Sequence, residues 1–388
     1  MQLHHLLDLV PPRHRLEPLG PGTALLPTVL LLTLLVAPPS RTLNRTALPA
    51  FACLCLYTSL VYTTGSAADD YGRASFNLTL VLRAFDIFVL ARPSFPIVFR
   101  RSPNAPVPPS GSLARLGWAV KLAASLRGAG WVWQVIPGAI GQVELSRSRF
   151  LWHRVRKFAL LYLALDVVSS YMQSQPYFHR RVPLAALSTF EHLVNMLAAS
   201  ASAALAINTL YQVVCIACVA SQAWEPNECI DLFGSWTESS SLGGFWGRTW
   251  HQSFRRPFTS IATSLVRLLR CNPASPFARF LSVFFTFAQS AVLHAFSAFV
   301  MNRTGTGALK FFLIQPFGFL LEMIANKVIG SKVATATKTR FGYVWTAGWL
   351  LYWSPWFFDE LVQAGFWEIN PAPLSVVQGI SKGQWFVR

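Results

Sequence analysis

Residues 188–220 read STFEHLVNMLAASASAALAINTLYQVVCIACVA, and this run decides the class of protein. It contains no Lys or Arg and a single carboxylate, that of Glu191. About 20 predominantly apolar residues are enough for a helix to cross a bilayer. The run therefore predicts a membrane-spanning helix, and its length predicts that this helix tilts strongly or extends beyond the bilayer.

The composition of the whole chain leads to the same class. Of its 388 residues, 53% are hydrophobic and 13% are charged, whereas a typical soluble domain has about 25% charged residues. The mean hydropathy is +0.40. These values exclude a soluble enzyme, a disordered regulator and a fibrous repeat. The net charge of +17 invites a nucleic-acid partner, but in a membrane protein Lys and Arg collect in cytoplasmic loops and near anionic lipids, so we expect none.

The apolar runs predict an all-α polytopic membrane protein with about eight transmembrane helices. The run at 76–91 is short and contains Arg83 and Asp86, three residues apart on one helical face, which we expect to face protein and not lipid. The eight predicted spans are 22–37, 47–64, 76–91, 158–172, 188–220, 279–301, 307–329 and 341–361.

The distribution of charge predicts the organisation of the chain. Residues 1–91 hold the N-terminal transmembrane helices, and residues 158–388 form the transmembrane core, with the most informative text at 220–330. Between them, residues 92–157 are rich in Pro and carry eleven Lys or Arg against the single acid Glu144. We expect this basic segment to be cytosolic. Within it, residues 117–136 are amphipathic and indicate a helix in the membrane interface, with its tryptophans at headgroup depth.

The cysteines and histidines do not complete a metal motif. Cys215 and Cys218 have the C-x-x-C spacing, but no second pair and no nearby His accompany them. We therefore interpret them as small apolar helix residues and predict no bound metal. His192 also lies in a predicted span, but a haem protein needs paired histidines on facing helices, and no such pair is evident.

The segment 231–257 is the most unusual text in the chain, because it combines aromatic rings with cations. Arg binds phosphate through its planar fork, and aromatic rings stack on bases. The segment is therefore consistent with a nucleotide-binding site. Trp and Arg are also enriched at membrane interfaces, and composition alone favours such an anchor. The residues concerned are Trp246, Arg248, Trp250, His251, Gln252, Arg255 and Arg256.

His294 lies within the apolar run FFTFAQSAVLHAFSAF at 284–299. An ionisable side chain inside a span is costly and is by default a candidate for function. Histidine is also the side chain best suited to general acid–base catalysis near neutral pH. The alternative is a histidine that hydrogen-bonds a neighbouring helix, and position alone leaves both readings open.

Taken together, these features resemble a known family. Residues 241–252, SLGGFWGRTWHQ, resemble the S-L-x-x-F-W-G-R-R-W-H/N block of the wax-synthase-like branch of the membrane-bound O-acyltransferases, and Leu232-Phe-Gly-Ser235 fits that branch too. In the family an apolar helix with a single histidine follows the block, as His294 does here. The sequence departs from the pattern at Thr249, where a second basic residue is usual, so we expect one phosphate or structural contact of the family to differ here.

The resemblance implies an O-acyltransferase in which a helical bundle encloses an internal tunnel. The family's catalytic histidine corresponds to His294, and its second polar position corresponds to His251. The acyl donor is acyl-CoA, a co-substrate and not a bound cofactor. On this reading the donor is bound by Trp246, Arg248, Trp250, Gln252 and Arg255.

The length and the Pro-rich head resemble the fungal members of this branch. That likeness implies acetyl-CoA as donor and a hydroxylated terpenoid or meroterpenoid as acceptor, in the endoplasmic reticulum membrane. A wax-synthase-type reaction with a long-chain alcohol is the alternative, and a transporter or membrane scaffold is the alternative from a different class. The sequons at Asn44, Asn77 and Asn302 lie in short loops or at span edges, and we expect them to be unmodified.

Overall fold

The computed structural model describes residue 11 and residues 13–37, 41–90, 111–134, 146–329 and 334–387. Its longer helices are numbered here in chain order, and single turns are left unnumbered. They are α1 Pro21–Val36, α2 Arg41–Val61, α3 Ala67–Phe85, α4 Ser112–Ala124, α5 Arg147–Ser174, α6 Thr189–Ala220, α7 Arg255–Leu268, α8 Pro276–Asn302, α9 Thr306–Ile329, α10 Thr335–Gln363 and α11 Val376–Lys382.

Extended structure is minimal in the described part of the chain. Two strands of two residues each, β1 Glu17–Pro18 and β2 Tyr62–Thr63, pair in parallel, and one isolated bridge joins Leu374 to Phe386. The all-α class predicted from the sequence is confirmed.

Serine side chains define where three of the long helices begin. Ser66 accepts a hydrogen bond from the backbone N–H of Asp69 at the start of α3. Ser188 and Glu191 form a reciprocal capping box at the start of α6, and Ser275 caps α8. A side-chain oxygen at this position satisfies an N–H group that has no partner within the helix. The polar turns between apolar runs therefore set the helix boundaries.

The first of two compact units comprises Met1–Val135 and Ser253–Pro316. Its hydrophobic core joins side chains of α1 to α4, among them Leu31, Phe51 and Leu122. Two buried charges lie in the same unit: Arg83 donates to Asp86 at 3.1 Å, and their side chains are 1% and 0% exposed. The prediction that this pair faces protein is confirmed.

The second unit comprises Ile136–Gln252 and Phe317–Arg388. Helices α5 and α6 pack against each other in it. The buried carboxylate of Asp166 in α5 accepts hydrogen bonds from the Ser375 hydroxyl at 2.5 Å and the Val377 N–H at 3.0 Å. These bonds attach the C-terminal helix α11 to α5.

Each of the eight predicted spans overlaps a helix, and their number as membrane crossings stays a prediction. Within the described residues, three helices are long and apolar enough to cross a membrane: Thr189–Ala220, Pro276–Asn302 and Thr306–Val328. Pro21–Val36 and Thr46–Val61 are apolar but shorter. Helix α6 is one continuous helix of 32 residues, or about 48 Å at 1.5 Å per residue. It exceeds the thickness of the hydrocarbon core, as its sequence predicted.

The structure differs from the sequence-based boundaries in two places. The helix of the third predicted span begins at Ala67, well before residue 76, because Ser66 caps it. From Asp86 to Leu90 it continues as a π-helix.

In the basic segment the helix is Ser112–Ala124, not 117–136. Its Trp118 and the following Trp131 are 5% and 4% exposed and pack in the core of the first unit, so they are not presented to lipid headgroups. The cytosolic location of residues 92–157 stays a prediction, and residues 91–110 and 135–145 lie outside the described residues.

Candidate active site

His294 lies in α8, and two aromatic residues of the first unit hold its imidazole ring. Nδ1 lies 2.5 Å from the phenol oxygen of Tyr71 in α3. The ring of Phe312 in α9 is stacked on the imidazole, with centroids 4.5 Å apart and planes inclined by 7°. The histidine therefore has a hydrogen-bond partner on one helix and a flat apolar support on another.

The start of α3, where Tyr71 lies, is braced by the carboxylate of Asp70. This carboxylate is fully buried and accepts hydrogen bonds from the Thr63 hydroxyl at 2.6 Å, from the Thr64 N–H at 2.7 Å and from the Thr64 hydroxyl at 2.9 Å. Arg13 forms an ion pair with it at 3.2 Å. Because the buried charge is bonded on several sides, the backbone next to Tyr71 has little freedom.

Further contacts position α8 against its neighbours. The hydroxyls of Ser75 and Ser297 lie 2.8 Å apart, one turn beyond the Tyr71–His294 pair. Gly305 follows α8, and a Cβ at this position would lie 2.4 Å from the carbonyl oxygen of Ala295. Only glycine allows the chain to turn back this closely into α9, the helix that carries Phe312.

The block 241–252 belongs to the second unit and forms a tight turn followed by a π-helix, Phe245–Thr249. The carboxylate of Glu322 in α9 accepts the N–H groups of Leu242 at 2.6 Å and Gly243 at 3.5 Å. The indole N–H of Trp345 donates to the same carboxylate at 3.0 Å. Glu322 thus anchors the start of the block, because it accepts donors from two different parts of the chain.

A close backbone approach fixes the same turn. A Cβ on Gly244 would lie 1.8 Å from the carbonyl oxygen of Glu238, so any other residue here would displace the backbone. The hydroxyl of Ser241 accepts the N–H of Gly244 at 2.9 Å. The spacing of serine and glycine in the block therefore has a structural reason.

Aromatic rings surround His251 in this turn. Its imidazole lies 5.4 Å from the ring of Trp250 and 6.1 Å from that of Phe233, measured between centroids. Trp246 lies 5.9 Å from Trp250. Three of the predicted site residues, Trp246, Trp250 and His251, are therefore brought together in one aromatic cluster.

Gln252 has a bracing role in the structure. It is 5% exposed, and its amide nitrogen donates to the carbonyl oxygens of Trp246 at 3.0 Å and Trp250 at 2.5 Å. Both amide hydrogens are thus directed at the backbone of the block. This geometry favours a contribution of Gln252 to the shape of the site over a direct contact with the acyl donor.

Thr249, where the sequence departs from the family pattern, makes a structural contact. Its side chain is fully buried, donates to the carbonyl oxygen of Ser235 at 2.9 Å and accepts from the hydroxyl of Ser239 at 2.9 Å. The contact made at this position is structural: it ties residues 235–239 to the π-helix.

The arginines of the segment separate into two kinds. Arg248 is exposed and pairs with Glu238 at 2.7 Å. Arg255 is also exposed and is the first residue of α7. Arg256 is mostly buried, and its Nε donates to Asp86 at 3.0 Å in the first unit. Of the three, Arg248 and Arg255 are placed where solvent or a soluble donor has access.

An ion-pair network precedes the block in the second unit. Asp231 pairs with Arg154 at 2.6 Å and with Lys157 at 2.8 Å, and Arg154 also donates to Gln212 at 3.1 Å. Burial by itself would raise the pKa of Asp231, but the hydrogen bonds and positive charges of Lys157 and Arg154 outweigh it and hold the pKa below its ordinary value. The chain entering the block is therefore anchored by a charged carboxylate.

The two units divide the predicted site residues. Trp246, Arg248, Trp250, His251 and Gln252 belong to the second unit, and Arg255 and His294 belong to the first.

Sequence reasoning missed Tyr71, Phe312 and Glu322. Glu322 had a signal, since it is a carboxylate within an apolar run. Tyr71 and Phe312 had none, because their contact with His294 depends only on tertiary packing.

Comparisons with known proteins show which family the sequence of this region resembles. Residues 229–314, which include His251 and His294, match the Membrane bound O-acyl transferase family. The similarity to three individual relatives covers 83%, 89% and 70% of the chain. The chain resembles this family over that range, and the comparisons indicate that it is an O-acyltransferase.

Three relatives illustrate how far the similarity reaches. The acyltransferase is 28% identical over 330 residues to acetyltransferase ple2 of Rhodocybe pseudopiperita, covering 83% of this chain and 86% of that protein. It is 26% identical over 358 residues to acetyltransferase eriL of Hericium erinaceus, covering 89% and 92%. It is 28% identical over 300 residues to acetyltransferase pyr8 of Aspergillus fumigatus, covering 70% of each chain. The resemblance seen in the sequence is confirmed.

Proposed function

We propose that this O-acyltransferase transfers the acetyl group of acetyl-CoA to a hydroxyl of a terpenoid or meroterpenoid natural product. The observation that carries this proposal is a spanning helix with a histidine whose ring is held on two sides, within the range that matches the family. The relatives named acetyltransferases support acetyl as the transferred group.

His294 is the general base in this proposal. An alcohol is a poor nucleophile until a base removes its proton as it attacks. The alcohol oxygen bonds to the thioester carbon while its proton passes to His294, and the carbonyl becomes an oxyanion. The intermediate then collapses, the C–S bond breaks, and the CoA sulfur receives the proton from the imidazolium. The acyl group passes directly from CoA to the alcohol, and no covalent acyl-enzyme forms.

His251 is the donor that stabilises the oxyanion. A positioned N–H group contributes most where negative charge develops, because it needs no reorganisation during the reaction. The rings of Trp250 and Phe233 restrict the orientation of this imidazole. Gln252 supports the donor indirectly, since its amide nitrogen braces the backbone at Trp246 and Trp250.

Arg248 and Arg255 bind the phosphates of the acyl donor, and Trp246 and Trp250 contact its adenine. Both arginines are exposed, which suits contact with a soluble nucleotide, and guanidinium groups pair with phosphate through two parallel hydrogen bonds. The phosphate contacts are equal in the ground and transition states, so they contribute to donor affinity and not to the chemical step.

We place the enzyme in the endoplasmic reticulum membrane with eight spans, the five apolar helices together with α3, α5 and α10. Segment 221–278 faces the cytosol, where CoA is available. In this arrangement the acceptor reaches the site from the apolar phase, which suits a hydrophobic polycyclic alcohol.

The test is an acyl-transfer assay on microsomes that contain the protein. Acetyl-CoA and palmitoyl-CoA are offered with hydroxylated terpenoids and with long-chain alcohols. We expect acetyl transfer to a terpenoid alcohol. Palmitoyl transfer to a long-chain alcohol would instead identify a wax-synthase-type enzyme, and loss of acyl-CoA without any acceptor would contradict the proposal.

Two single variants and their combination test the assigned roles. His294→Ala is expected to lower kcat by about 100- to 10,000-fold, and His251→Ala by about 100- to 1,000-fold. If both act on one transition state, the double variant loses less than the product of the two effects. His192→Ala, a histidine of α6 outside the proposed site, is the matched control and should retain its activity. Near-normal kcat in His294→Ala would make this histidine a packing residue.

A further inference from the structure

We propose that Tyr71 is a positioning residue for the general base: its phenol oxygen accepts the hydrogen bond from Nδ1–H of His294, which leaves the lone pair on Nε2. This inference rests on the proposed function, in which His294 removes the proton of the acceptor alcohol. It assigns a role to a residue of α3, which lies outside the range 229–314 that matches the family.

The contact itself is short and partly buried. The phenol oxygen and Nδ1 are 2.5 Å apart, and Tyr71 is 9% exposed. An O···N separation of this size is at the short end for hydrogen bonds in proteins.

The chemistry of the base decides which atom donates. A neutral imidazole carries one proton, so a phenol that donated to Nδ1 would place the imidazole proton on Nε2. That tautomer has no lone pair at Nε2 for the alcohol proton. If Nδ1–H donates to the phenol oxygen, Nε2 is the basic atom. After it takes the proton, Nδ1–H keeps the same bond, so the pair does not rearrange during the reaction.

A phenol suits this place better than a carboxylate. A carboxylate next to the imidazole would have to be desolvated within the protein, whereas a neutral phenol accepts a hydrogen bond without introducing a charge. Phe312 stacks on the imidazole at 4.5 Å, so one side of the ring is apolar. Tyr71 therefore sets the tautomer without introducing a charge of its own.

One contact joins α3 to α8 near the Tyr71–His294 pair, and another holds the first turn of α3 in place. Asp70 holds the first turn of α3 to the loop at Thr63 and Thr64. One turn further, the hydroxyls of Ser75 and Ser297 join α3 to α8 at 2.8 Å. Tyr71 lies between these two attachments, and the Ser75–Ser297 contact restricts sliding of α3 along α8.

The first test is Tyr71→Phe, which removes only the hydroxyl. We expect kcat to fall roughly 10- to 100-fold, as for a hydrogen bond to a group that becomes charged. The KM for acetyl-CoA and the apparent melting temperature in detergent should stay unchanged. Tyr57→Phe removes a hydroxyl from an exposed tyrosine of the same unit and should leave kcat at the wild-type value.

The second test separates positioning from packing. 3-Fluorotyrosine at position 71 keeps the shape of the ring and makes the phenol oxygen a weaker acceptor, so kcat should lie between wild type and Tyr71→Phe. In the His294→Ala background, Tyr71→Phe should have no further effect on the residual rate.

The outcomes distinguish this inference from the proposed function. Absence of acyl transfer by the wild type, or normal kcat in His294→Ala, contradicts the proposed function. An active enzyme that loses activity in His294→Ala but keeps normal kcat in Tyr71→Phe overturns the role of Tyr71 alone. A fall in kcat that comes with an equal loss of thermal stability, or an unchanged rate with fluorotyrosine, also overturns it.

Discussion

The Nε atom of Arg256 donates to Oδ2 of Asp86 at 3.0 Å, and the same oxygen accepts Nη1 of Arg83 at 3.1 Å. The ring of Trp133 lies 4.7 Å from the guanidinium carbon of Arg256 and 4.8 Å from that of Arg83. One buried carboxylate and one indole thus join the start of α7 to the end of α3. Arg256, which the sequence grouped with nucleotide-binding cations, has a structural role in the first unit.

This cluster predicts a large loss of stability in Asp86→Asn. The substitution keeps the volume and removes the charge that compensates two arginines, and removal of one partner from a buried pair costs about 3–5 kcal/mol. The measurement is thermal unfolding in detergent. Arg181→Ala breaks the exposed pair with Glu368 and is the control, expected to change stability by about 1 kcal/mol or less. Equal effects of the two substitutions would contradict the role of Asp86.

Thr249→Val is expected to destabilise the second unit. The change keeps the shape of the side chain but removes the hydroxyl bonded to Ser235 and Ser239, at a cost of about 1–3 kcal/mol for buried groups left without a partner. Thr249→Ser keeps the hydroxyl and loses one buried methyl group, about 1 kcal/mol. Thermal unfolding of the two variants checks the order, and a valine variant as stable as the serine variant would disprove the structural role of this hydroxyl.

Arg248→Ala is expected to raise the KM for acetyl-CoA by roughly 10- to 100-fold and to leave kcat unchanged, because a charge-assisted hydrogen bond to phosphate contributes about 1.5–3 kcal/mol. The same direction is expected for Arg255→Ala. Glu238→Gln removes the acid paired with Arg248 and should not raise the KM. Initial-rate kinetics in acetyl-CoA check the prediction, and a fall in kcat at constant KM would exclude phosphate binding.

The lowered pKa of Asp231 predicts a defined dependence of stability on pH. A carboxyl whose pKa is lowered by folding stabilises the folded state above its ordinary pKa, and this contribution is lost as the pH falls through the lowered value. The difference in melting temperature between wild type and Asp231→Asn should therefore be constant from pH 5 to 8, at about 2 °C. It should shrink below about pH 4. A difference that grows as the pH falls would contradict this assignment.

Labelling of Cys271 tests the orientation of the segment between α7 and α8. Cys271 is partly exposed, whereas Cys229, in the same predicted cytosolic segment, is fully buried and unsuitable as a probe. We expect a membrane-impermeant maleimide to modify Cys271 in sealed microsomes. Cys271→Ser is the control that identifies the labelled site. Modification only after permeabilisation would place this segment in the lumen.

The sequence was sufficient wherever the physical cause is local. Hydropathy over some twenty residues reports directly on the cost of placing a helix in lipid, so the apolar helices were found close to their observed bounds. Arg83 and Asp86 are three residues apart on one helix, and this spacing alone brings their side chains together. The short block 241–252 was recognisable because its residues resemble a family motif that is contiguous in the sequence.

Only the tertiary structure decided which distant residues complete these local features. Tyr71 meets His294 across 223 positions, and Glu322 anchors Leu242 across 80. No pattern within a segment encodes such pairs, because they arise when helices pack in one register and bury polar groups that must then find partners. The sequence by itself determined a helical membrane acyltransferase and its candidate histidines. The packing of α3, α8 and α9 decided how the imidazole of His294 is held.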